Sequence, residues 1–373
     1  MKIGIDITSI TKQKAGIGNY TYFLTNEFIK YTEHTFYLFG NSKENIDYLD
    51  LKDKKNIKFV LVEAKRANVI WMLKVRIKTV FLRLDAFISP SSNFLLSLLF
   101  VNSWTIVHDI IPIIFPEYFV GSSSKNFKFL FSLLIKLKRK LFFISKTTYK
   151  DVCRIYNQQF DKNIIYAGLN KYGLEKLSAN QYVNTSQNRA DFKEKNFILS
   201  VSTLEPRKNY VNSITAFYEF SKKYGEFKYY IVGKKGWMFD DIQETIKKYN
   251  LEEKVVLLNY VNNETLNELY KHCKFFVLVS KYEGFGLPVL EAYSYGKKLL
   301  ISNIPAFIEL NLNNTIYVNP DDIDEIVGGM QSILELKTEQ IKNEIIQKYS
   351  WENVASLTLK YITQYYEDRR KKN

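Results

Sequence analysis

The sequence predicts an α/β protein built from two doubly wound domains in tandem. Short apolar strands alternate with helices along the whole chain, a pattern typical of parallel sheets covered by helices. The chain has 373 residues, of which 46% are hydrophobic, enough for two domains that each bury a core. A polar stretch rich in Asn, Ser and Gln separates the two series of strands. We therefore expect an N-terminal domain over residues 1–170, a linker over 171–195, a second domain over 196–350 and a C-terminal helix over 351–373.

The individual elements follow from apolar runs bounded by polar or turn residues. In the first half we expect strands near residues 2–7, 35–40, 57–62, 86–89, 104–108 and 141–144, with helices near 18–30, 66–82, 124–139 and 146–156. In the second half we expect strands at Phe197–Ser202, Tyr229–Val232, Val255–Leu258, Phe275–Ser280 and Tyr317–Val318. Helices are expected near 208–222, from about 240, near 264–271, near 288–295, from Asn319-Pro320-Asp321 to Leu336, and from Ser350 to Arg369. Ser350 is a suitable N-cap for the last helix.

The composition excludes several classes of protein. With 25% charged residues the chain is neither disordered nor of low complexity. Its two cysteines, Cys153 and Cys273, form no metal or redox spacing, which fits a reducing compartment. No signal peptide is visible, and apolar runs such as Phe129–Ile135 are far shorter than the roughly 20 residues of a membrane-spanning helix. We expect a cytoplasmic protein.

The net charge of +14 is concentrated in two segments of the first half. Residues 64–83 and 124–146 mix basic and large apolar side chains and contain no acidic residue. Their basic residues are Lys65, Arg66, Lys74, Arg76, Lys78 and Arg83 in the first, and Lys125, Lys128, Lys136, Lys138, Arg139, Lys140 and Lys146 in the second. Basic amphipathic helices suit an anionic membrane surface. The alternative is an ordinary helix with a Lys-rich outer face. We expect no nucleic-acid partner, because no recognisable nucleic-acid-binding motif accompanies the charge.

Two motifs in the first half follow predicted strands and suit ligand binding. Gly16-Ile17-Gly18 opens a helix, where glycines permit close backbone approach and unpaired N–H groups attract an anion. It lacks the third glycine of a dinucleotide fingerprint, so an ordinary tight turn is the alternative. His108-Asp109 comes at the end of an apolar strand, where a neutral imidazole can bond a hydroxyl or a developing charge. The alternative is a structural histidine, and Asp109 either orients it or caps the next segment.

Adjacent cations mark the start of the second domain. Arg207 and Lys208 follow strand Phe197–Ser202 and fall in the first turn of a predicted helix. Cations there oppose the helix dipole, unless they face an anion such as a diphosphate. A solvated pair at a helix end is the alternative.

The segment from Ser280 to Ala292 carries the strongest signal. Gly284 and Gly286 free the backbone after a strand, so that N–H groups at the next helix start can face a phosphate. Glu283 and Glu291 lie eight positions apart and can border one ligand, since carboxylates accept hydrogen bonds from hydroxyls. The alternative is a purely structural turn.

These motifs resemble those of the retaining glycosyltransferases of family 4. The segment from Glu283 to Glu291 resembles the E-x7-E motif of that family. Further matches are Gly16-Ile17-Gly18, His108-Asp109-Ile110-Ile111-Pro112, Ser145 with Asp151, Glu205-Pro206-Arg207-Lys208-Asn209, Val232 to Trp237, and Ser350-Trp351. The family has the GT-B fold, in which two Rossmann-like domains face each other across a cleft and a C-terminal helix returns to the first domain. The sequence is most similar to mannosyl- and rhamnosyltransferases of bacterial surface polysaccharides.

The resemblance implies a retaining, metal-independent enzyme without a cofactor that moves a hexose from a sugar nucleotide to a saccharide acceptor. The preferred donor is GDP-mannose, and the acceptor is expected to be linked to a lipid diphosphate. Arg207 and Lys208 would bind the diphosphate, Glu283 the sugar hydroxyls and Glu291 the ribose. The catalytic set implied is His108, Arg207, Lys208 and Glu283. The donor-binding set implied is Gly16, Gly18, Ser202, Arg207, Lys208, Gly284, Phe285, Gly286, Leu287 and Glu291. Ser202 departs from the family, since many relatives have Gly there.

The basic segments and the expected lipid-linked acceptor together imply a peripheral protein at the inner face of the plasma membrane. The residues assigned to its membrane or acceptor side are Lys74, Arg76, Lys78, Lys136, Lys138, Arg139 and Lys140. Three alternatives stay open: a UDP- or dTDP-sugar donor, a sugar-nucleotide epimerase, and a catalytically silent scaffold that binds membranes.

Overall fold

The chain forms two compact units, each built around one parallel sheet. The structure, a computed structural model, describes residues 1–11, 16–49, 51, 54–64, 69–90, 94–100, 102–118, 123–169 and 196–372. Unit 1 comprises residues 1–168 and 348–373, and unit 2 comprises residues 169–347. The expected linker over 171–195 lies outside the described residues.

Unit 1 contains six strands in the order β3-β2-β1-β4-β5-β6, all parallel. The strands are Lys2–Asp6 (β1), Thr35–Gly40 (β2), Ile57–Leu61 (β3), Ala86–Ser89 (β4), Ser103–Val107 (β5) and Lys140–Phe143 (β6). The helices are Ile17–Phe28 (α1), Glu44–Asp47 (α2), Val69–Leu82 (α3), Phe94–Leu99 (α4), Ile111–Ile114 (α5), Ser123–Lys136 (α6) and Lys146–Tyr156 (α7). The order of the strands reverses between β1 and β4, where chain connections diverge and ligands bind in doubly wound sheets.

Unit 2 repeats this architecture, with the strand order β12-β11-β10-β7-β8-β9 and parallel pairing throughout. The strands are Phe197–Val201 (β7), Lys228–Val232 (β8), Val255–Leu258 (β9), Phe275–Leu278 (β10), Leu299–Ser302 (β11) and Thr315–Val318 (β12). The helices are Tyr210–Lys223 (α8), Asp240–Lys248 (α9), Asn263–His272 (α10), Leu287–Ser294 (α11), Pro305–Ile308 (α12), Ile323–Glu335 (α13) and Asn343–Lys348 (α14). The prediction of two doubly wound α/β domains is thus confirmed, although β11 was not among the expected strands.

The C-terminal helix, Trp351–Lys372 (α15), belongs to unit 1. Ser350 caps it, since its Oγ accepts a hydrogen bond from the Asn353 backbone N–H at 3.1 Å, as the sequence predicts. The Trp351 ring stacks on Phe23 at 5.5 Å between centroids and meets the edge of Tyr20 at 5.0 Å. A Cβ on Gly168 would lie 2.2 Å from the Trp351 ring, so only glycine permits this packing. Helix α15 therefore completes the core of unit 1.

Candidate functional site

The carboxyl edge of the unit 2 sheet gathers the polar side chains predicted to be functional. Strands β10, β7 and β8 are neighbours and run parallel, so the loops that follow them emerge at the same edge. The loop after β10 carries Glu283, and the loop after β7 carries Arg207 and Lys208. Residues that are about 75 positions apart in sequence are thereby brought into contact.

Glu283 is the centre of a buried ion-pair cluster. Its Oε2 accepts a hydrogen bond from Arg207 Nη1 at 2.8 Å, and its Oε1 accepts one from Lys208 Nζ at 2.5 Å. Ser280 Oγ donates to the same Oε1 at 2.7 Å. Arg207 also donates through Nη2 to Glu205 Oε1 at 2.5 Å. The cluster contains two cations and two carboxylates, and such buried charges persist only when each is paired and hydrogen-bonded.

A short 3₁₀ turn, Pro206–Lys208, aims the two cations at Glu283. The turn ends at Asn209, whose φ of 59° lies in the left-handed region that Asn tolerates. The Asn209 amide donates to the carbonyls of Val279 at 3.1 Å and Pro320 at 2.6 Å. These bonds tie the turn to the segments that follow β10 and β12. Arg207 and Lys208 thus lie in a separate turn before α8, whereas the sequence predicts them in the first turn of a helix.

The electrostatics of the cluster keep Glu283 ionised. Burial alone would raise its pKa, but the charges of Lys208 and Arg207 and the hydrogen bonds from Lys208 and Ser280 outweigh burial and lower it to about 2. Burial and the neighbouring Arg207 charge lower the pKa of Lys208, against the opposing effect of Glu283. The site therefore holds a fixed carboxylate between two cations at neutral pH.

The loop from Gly284 to Leu287 leads into α11 in the way that the sequence suggests. Gly286 has a φ of 116°, and a Cβ there would lie 2.7 Å from the Phe307 ring, so the position excludes other residues. Pro288 occupies the first turn of α11, where its missing N–H costs nothing. Phe285 is buried. Glycine and proline together bring the start of α11 next to the cluster.

Glu291 is buried on α11 and bonded to a tyrosine that the sequence analysis did not single out. Tyr270 on α10 donates its O–H to Glu291 Oε2 at 3.0 Å. The Tyr270 ring stacks on Tyr295 at 5.4 Å. Burial and the nearby Glu291 and Glu268 charges raise the pKa of Tyr295 to about 12, so its ring stays neutral. No signal in a chain with 27 tyrosines marks Tyr270, because its role arises from contact between two helices.

Ser202 lies at the end of β7, in close contact with β8. A Cβ on Gly233 would lie 1.7 Å from the Ser202 carbonyl oxygen, so glycine at 233 sets the spacing here. The Ser202 hydroxyl lies 2.6 Å from the Tyr210 hydroxyl, with which it shares a hydrogen bond. The close approach of the two strand ends thus depends on Gly233, and Ser202 is compatible with it.

In unit 1, His108 follows β5 and Gly16 precedes α1. His108 Nε2 lies 2.7 Å from the Pro90 carbonyl oxygen, and since a carbonyl only accepts, Nε2 carries the proton. The Nδ1 atom is then the acceptor. Asp109 caps the next segment by accepting a hydrogen bond from the Ile111 N–H at 3.0 Å. Gly16 has a φ of 42°, and Gly18 is buried within α1.

Burial lowers the pKa of His108 to about 4, against the weaker opposing effect of the Pro90 carbonyl. Above pH 6.5 the residue is neutral in both the folded and the unfolded chain. As the pH falls from 6.5 toward 4, only the unfolded chain takes up the proton, so the free energy of unfolding decreases by about 2 kcal/mol at pH 5. Denaturant unfolding at pH 7 and pH 5 should show this extra loss in the wild type relative to His108→Gln. Burial lowers the pKa of His34 as well, but both proteins share that contribution. Equal losses of unfolding free energy in the wild type and in His108→Gln would contradict the lowered pKa of His108.

The comparisons with known proteins cover the part of the chain that contains this cluster. Residues 184–350, which include every part of the cluster, match the family model described as Glycosyl transferases group 1. This segment, somewhat less than half of the chain, is thus similar to the group 1 glycosyl transferases. The fold of the whole chain is GT-B: a sucrose-phosphate synthase from Thermosynechococcus elongatus superposes with a TM-score of 0.72 at 14% identity, covering 99% of this chain and 100% of that one. At that identity the likeness shows the fold alone.

Three curated relatives are similar in sequence to this chain. An uncharacterized glycosyltransferase of Methanocaldococcus jannaschii is 30% identical over 58% of this chain and 57% of its own length. The O-antigen chain mannosyltransferase RfbU of Salmonella typhimurium is 25% identical over 70% of each chain. The GDP-mannose:cellobiosyl-diphosphopolyprenol alpha-mannosyltransferase of Xanthomonas oryzae is 28% identical over 34% of this chain and 35% of its own. The chain thus spans little more than half the length of the first of them.

The basic residues assigned to the membrane or acceptor side differ in how exposed they are. Lys74 and Lys78 on α3 and Lys136 and Lys138 near the end of α6 are exposed, whereas Arg76 is half-buried, with its guanidinium over the Phe100 ring at 5.3 Å. Lys65 and Arg66 lie outside the described residues.

Arg139 and Lys140 are held by contacts within unit 1. Arg139 Nη2 donates to the Leu98 carbonyl at 2.7 Å, and burial lowers the pKa of Arg139. Lys140 Nζ lies 4.2 Å from the centre of the Tyr365 ring. Both side chains are half-buried and in contact with other residues of unit 1, and the expectation that they belong to a membrane or acceptor side stays a prediction.

Among the described residues no three His, Cys, Asp or Glu side chains are grouped so as to hold a metal ion. None of the helices in the described part of the chain is both long and apolar enough to cross a membrane.

Proposed function

We propose that this chain is a retaining hexosyltransferase that moves mannose from GDP-mannose to a saccharide acceptor in bacterial cell-surface polysaccharide biosynthesis. The observation that carries the proposal is the buried cluster of Arg207, Lys208 and Glu283 within the group 1 domain. Relatives named as mannosyltransferases suggest mannose as the transferred sugar. The relative named for GDP-mannose and alpha-mannosyl transfer suggests the donor and the linkage.

Arg207 and Lys208 are assigned to the donor diphosphate. An ammonium group has three N–H donors, so Lys208 can keep its bond to Glu283 and still donate to a phosphate oxygen. Two cations and the backbone amides after Gly284 then neutralise the charge that develops as the glycosidic bond to phosphate breaks. This supply of positive charge is the reason to propose that the reaction needs no metal ion and no cofactor.

Glu283 and Glu291 are assigned to hydroxyl groups. The low pKa of Glu283 keeps it an acceptor, which suits hydroxyls of the transferred sugar. Glu291, held by Tyr270, is assigned to the ribose. In the proposed mechanism the acceptor hydroxyl attacks from the face that the diphosphate leaves, and the departing phosphate oxygen takes its proton. The sugar then keeps its anomeric configuration.

From unit 1, His108 and Gly16 are assigned to the donor. With its proton on Nε2 and bonded to Pro90, His108 can accept a hydrogen bond from a sugar hydroxyl at Nδ1. Its low pKa means that it stays neutral across the physiological range. Gly16 and Gly18 allow the backbone before α1 to approach the diphosphate.

The acceptor is proposed to be a saccharide on a lipid diphosphate, and the protein to act at the inner face of the plasma membrane. A relative named for a cellobiosyl-diphosphopolyprenol acceptor supports this choice. The exposed cations of α3 and α6 supply the attraction to anionic lipids.

Product analysis tests the proposal. Purified protein would be incubated with GDP-mannose and a lipid-diphosphate saccharide, and the anomeric signal of the product read by NMR. We expect GDP release that requires the acceptor, and an α-linked mannose, as in the donor. A β-linked product would overturn retention. Turnover without acceptor would favour an epimerase, and transfer only from UDP- or dTDP-sugars would replace the donor.

A further inference from the structure

The outward face of helix α3 is apolar. The exposed large hydrophobic residues of this helix are Val69, Ile70, Leu73, Ile77, Val80 and Phe81. Its inward face packs into the core of unit 1 through Trp71, Met72 and Val75, which are fully buried. A surface helix of a soluble domain normally carries polar residues opposite its core face. Helix α3 therefore has two apolar faces, of which the protein covers one.

The exposed apolar residues form one continuous stripe. At about 100° per residue, they span roughly 120° of the helix surface, opposite the buried face. Phe81 is 82% exposed and Ile77 57% exposed. Lys74 and Lys78 lie along one border of the stripe and Arg76 along the other. Cations on both sides of an apolar stripe are the arrangement of helices that lie in a membrane interface.

Charge identifies what covers the stripe. Helix α3 carries three cations and no acidic residue, so a second copy of this chain would bring like charges together. An anionic lipid surface has the complementary charge and an apolar interior for the stripe. Helix α6 differs: its exposed residues include Lys125, Lys128 and Lys136, and of its large hydrophobic residues only Phe129, near the middle, is exposed, so it carries no apolar stripe.

We propose that α3 lies in the interface of an anionic phospholipid bilayer, with its apolar stripe among the acyl chains and Lys74, Arg76 and Lys78 at the headgroups. This deepens the proposed function, on which it rests for a membrane-borne acceptor. Helix α3 is thus the inserting element, and α6 adds attraction only through its lysines.

Co-sedimentation of the full chain with vesicles tests the proposal. The wild type should bind vesicles of phosphatidylglycerol and phosphatidylcholine and bind phosphatidylcholine alone weakly. The double variant Ile77→Ser with Phe81→Ser should bind the anionic vesicles about tenfold more weakly or worse. The matched control is Phe129→Ser on α6, a residue 67% exposed, which should bind as the wild type does. Lys74→Gln with Lys78→Gln should lose the preference for anionic vesicles.

Three results would overturn the proposal: equal binding by the double variant and the wild type, equal loss in the Phe129→Ser control, or self-association that disappears in the double variant without vesicle binding. The melting temperatures of all variants should be close to that of the wild type, because the substituted side chains are exposed. This measurement shows that the variants fold. Thermal stabilisation by GDP-mannose, measured without vesicles, separates this proposal from the donor assignment. If the wild type failed to bind vesicles but was stabilised by GDP-mannose, only the proposal for α3 would be overturned and the donor assignment would stand.

Discussion

Replacing Lys208 with methionine should lower kcat for sugar transfer by about a hundredfold or more. Methionine is unbranched and keeps most of the length of the side chain, but it lacks the ammonium group that Lys208 places 2.5 Å from Glu283 and, in the proposed complex, next to the leaving diphosphate. Loss of one group that stabilises developing negative charge in a buried site typically costs this much. The measurement is steady-state release of GDP in the presence of acceptor.

Lys281→Met is the matched control for Lys208→Met. Lys281 lies in the same loop as Glu283, but it is 38% exposed and pairs with Asp321 at 2.9 Å. Its replacement should change kcat less than about threefold, because exposed pairs contribute little. Glu283 remains bonded to Arg207 and Ser280 in the Lys208 variant, so the fold should persist. A Lys208→Met enzyme with the kcat of the control would remove Lys208 from the diphosphate site.

Replacing Glu291 with glutamine should weaken binding of the sugar nucleotide by about ten- to a hundredfold. A carboxylate that accepts from two ribose hydroxyls makes charge-assisted bonds that a neutral amide does not equal. Calorimetric titration with GDP measures the loss directly, and because the ribose does not take part in bond breaking, kcat at saturating donor should change much less.

The controls for Glu291 lie in its immediate surroundings. Glu268→Gln on α10 removes a half-exposed carboxylate that pairs with Lys271, and should leave the affinity for GDP unchanged. Tyr270→Phe removes the hydrogen bond that holds Glu291 and should weaken GDP binding by a smaller factor than Glu291→Gln. If Glu268→Gln and Glu291→Gln had equal effects, the ribose assignment would fail.

The alternation of strands and helices was predictable because buried parallel strands read as short apolar runs between amphipathic helices. Strand β11 was missed for a physical reason. It has only four residues, Leu299–Ser302, and follows two lysines and a turn at Gly296 whose φ is 70°. Such a run cannot be told from the flank of a helix until its pairing with β10 and β12 is known.

The residues of the candidate site were predictable, but their partners were not. Motif spacing identified Arg207, Lys208 and Glu283, yet their direct ion pairing depends on which strands of the sheet are neighbours. The same limit applies to Tyr270, which reaches Glu291 from another helix. Charge counting grouped Lys140 with the exposed lysines, whereas the fold places it against Tyr365. Short segments of sequence predict local patterns, but they do not predict contacts between distant parts of the chain.

In the proposed function, the cluster of Arg207, Lys208 and Glu283, with Glu291, holds a sugar nucleotide without a metal ion. It is tested most directly by melting the purified protein in EDTA with GDP-, UDP- and dTDP-sugars. At 100 times its dissociation constant, a ligand adds about 2.7 kcal/mol to the free energy of unfolding. We expect a raised melting temperature with GDP-mannose in EDTA, and little increase in the Glu291→Gln variant. No increase with any sugar nucleotide, or an increase that requires added metal, would contradict it.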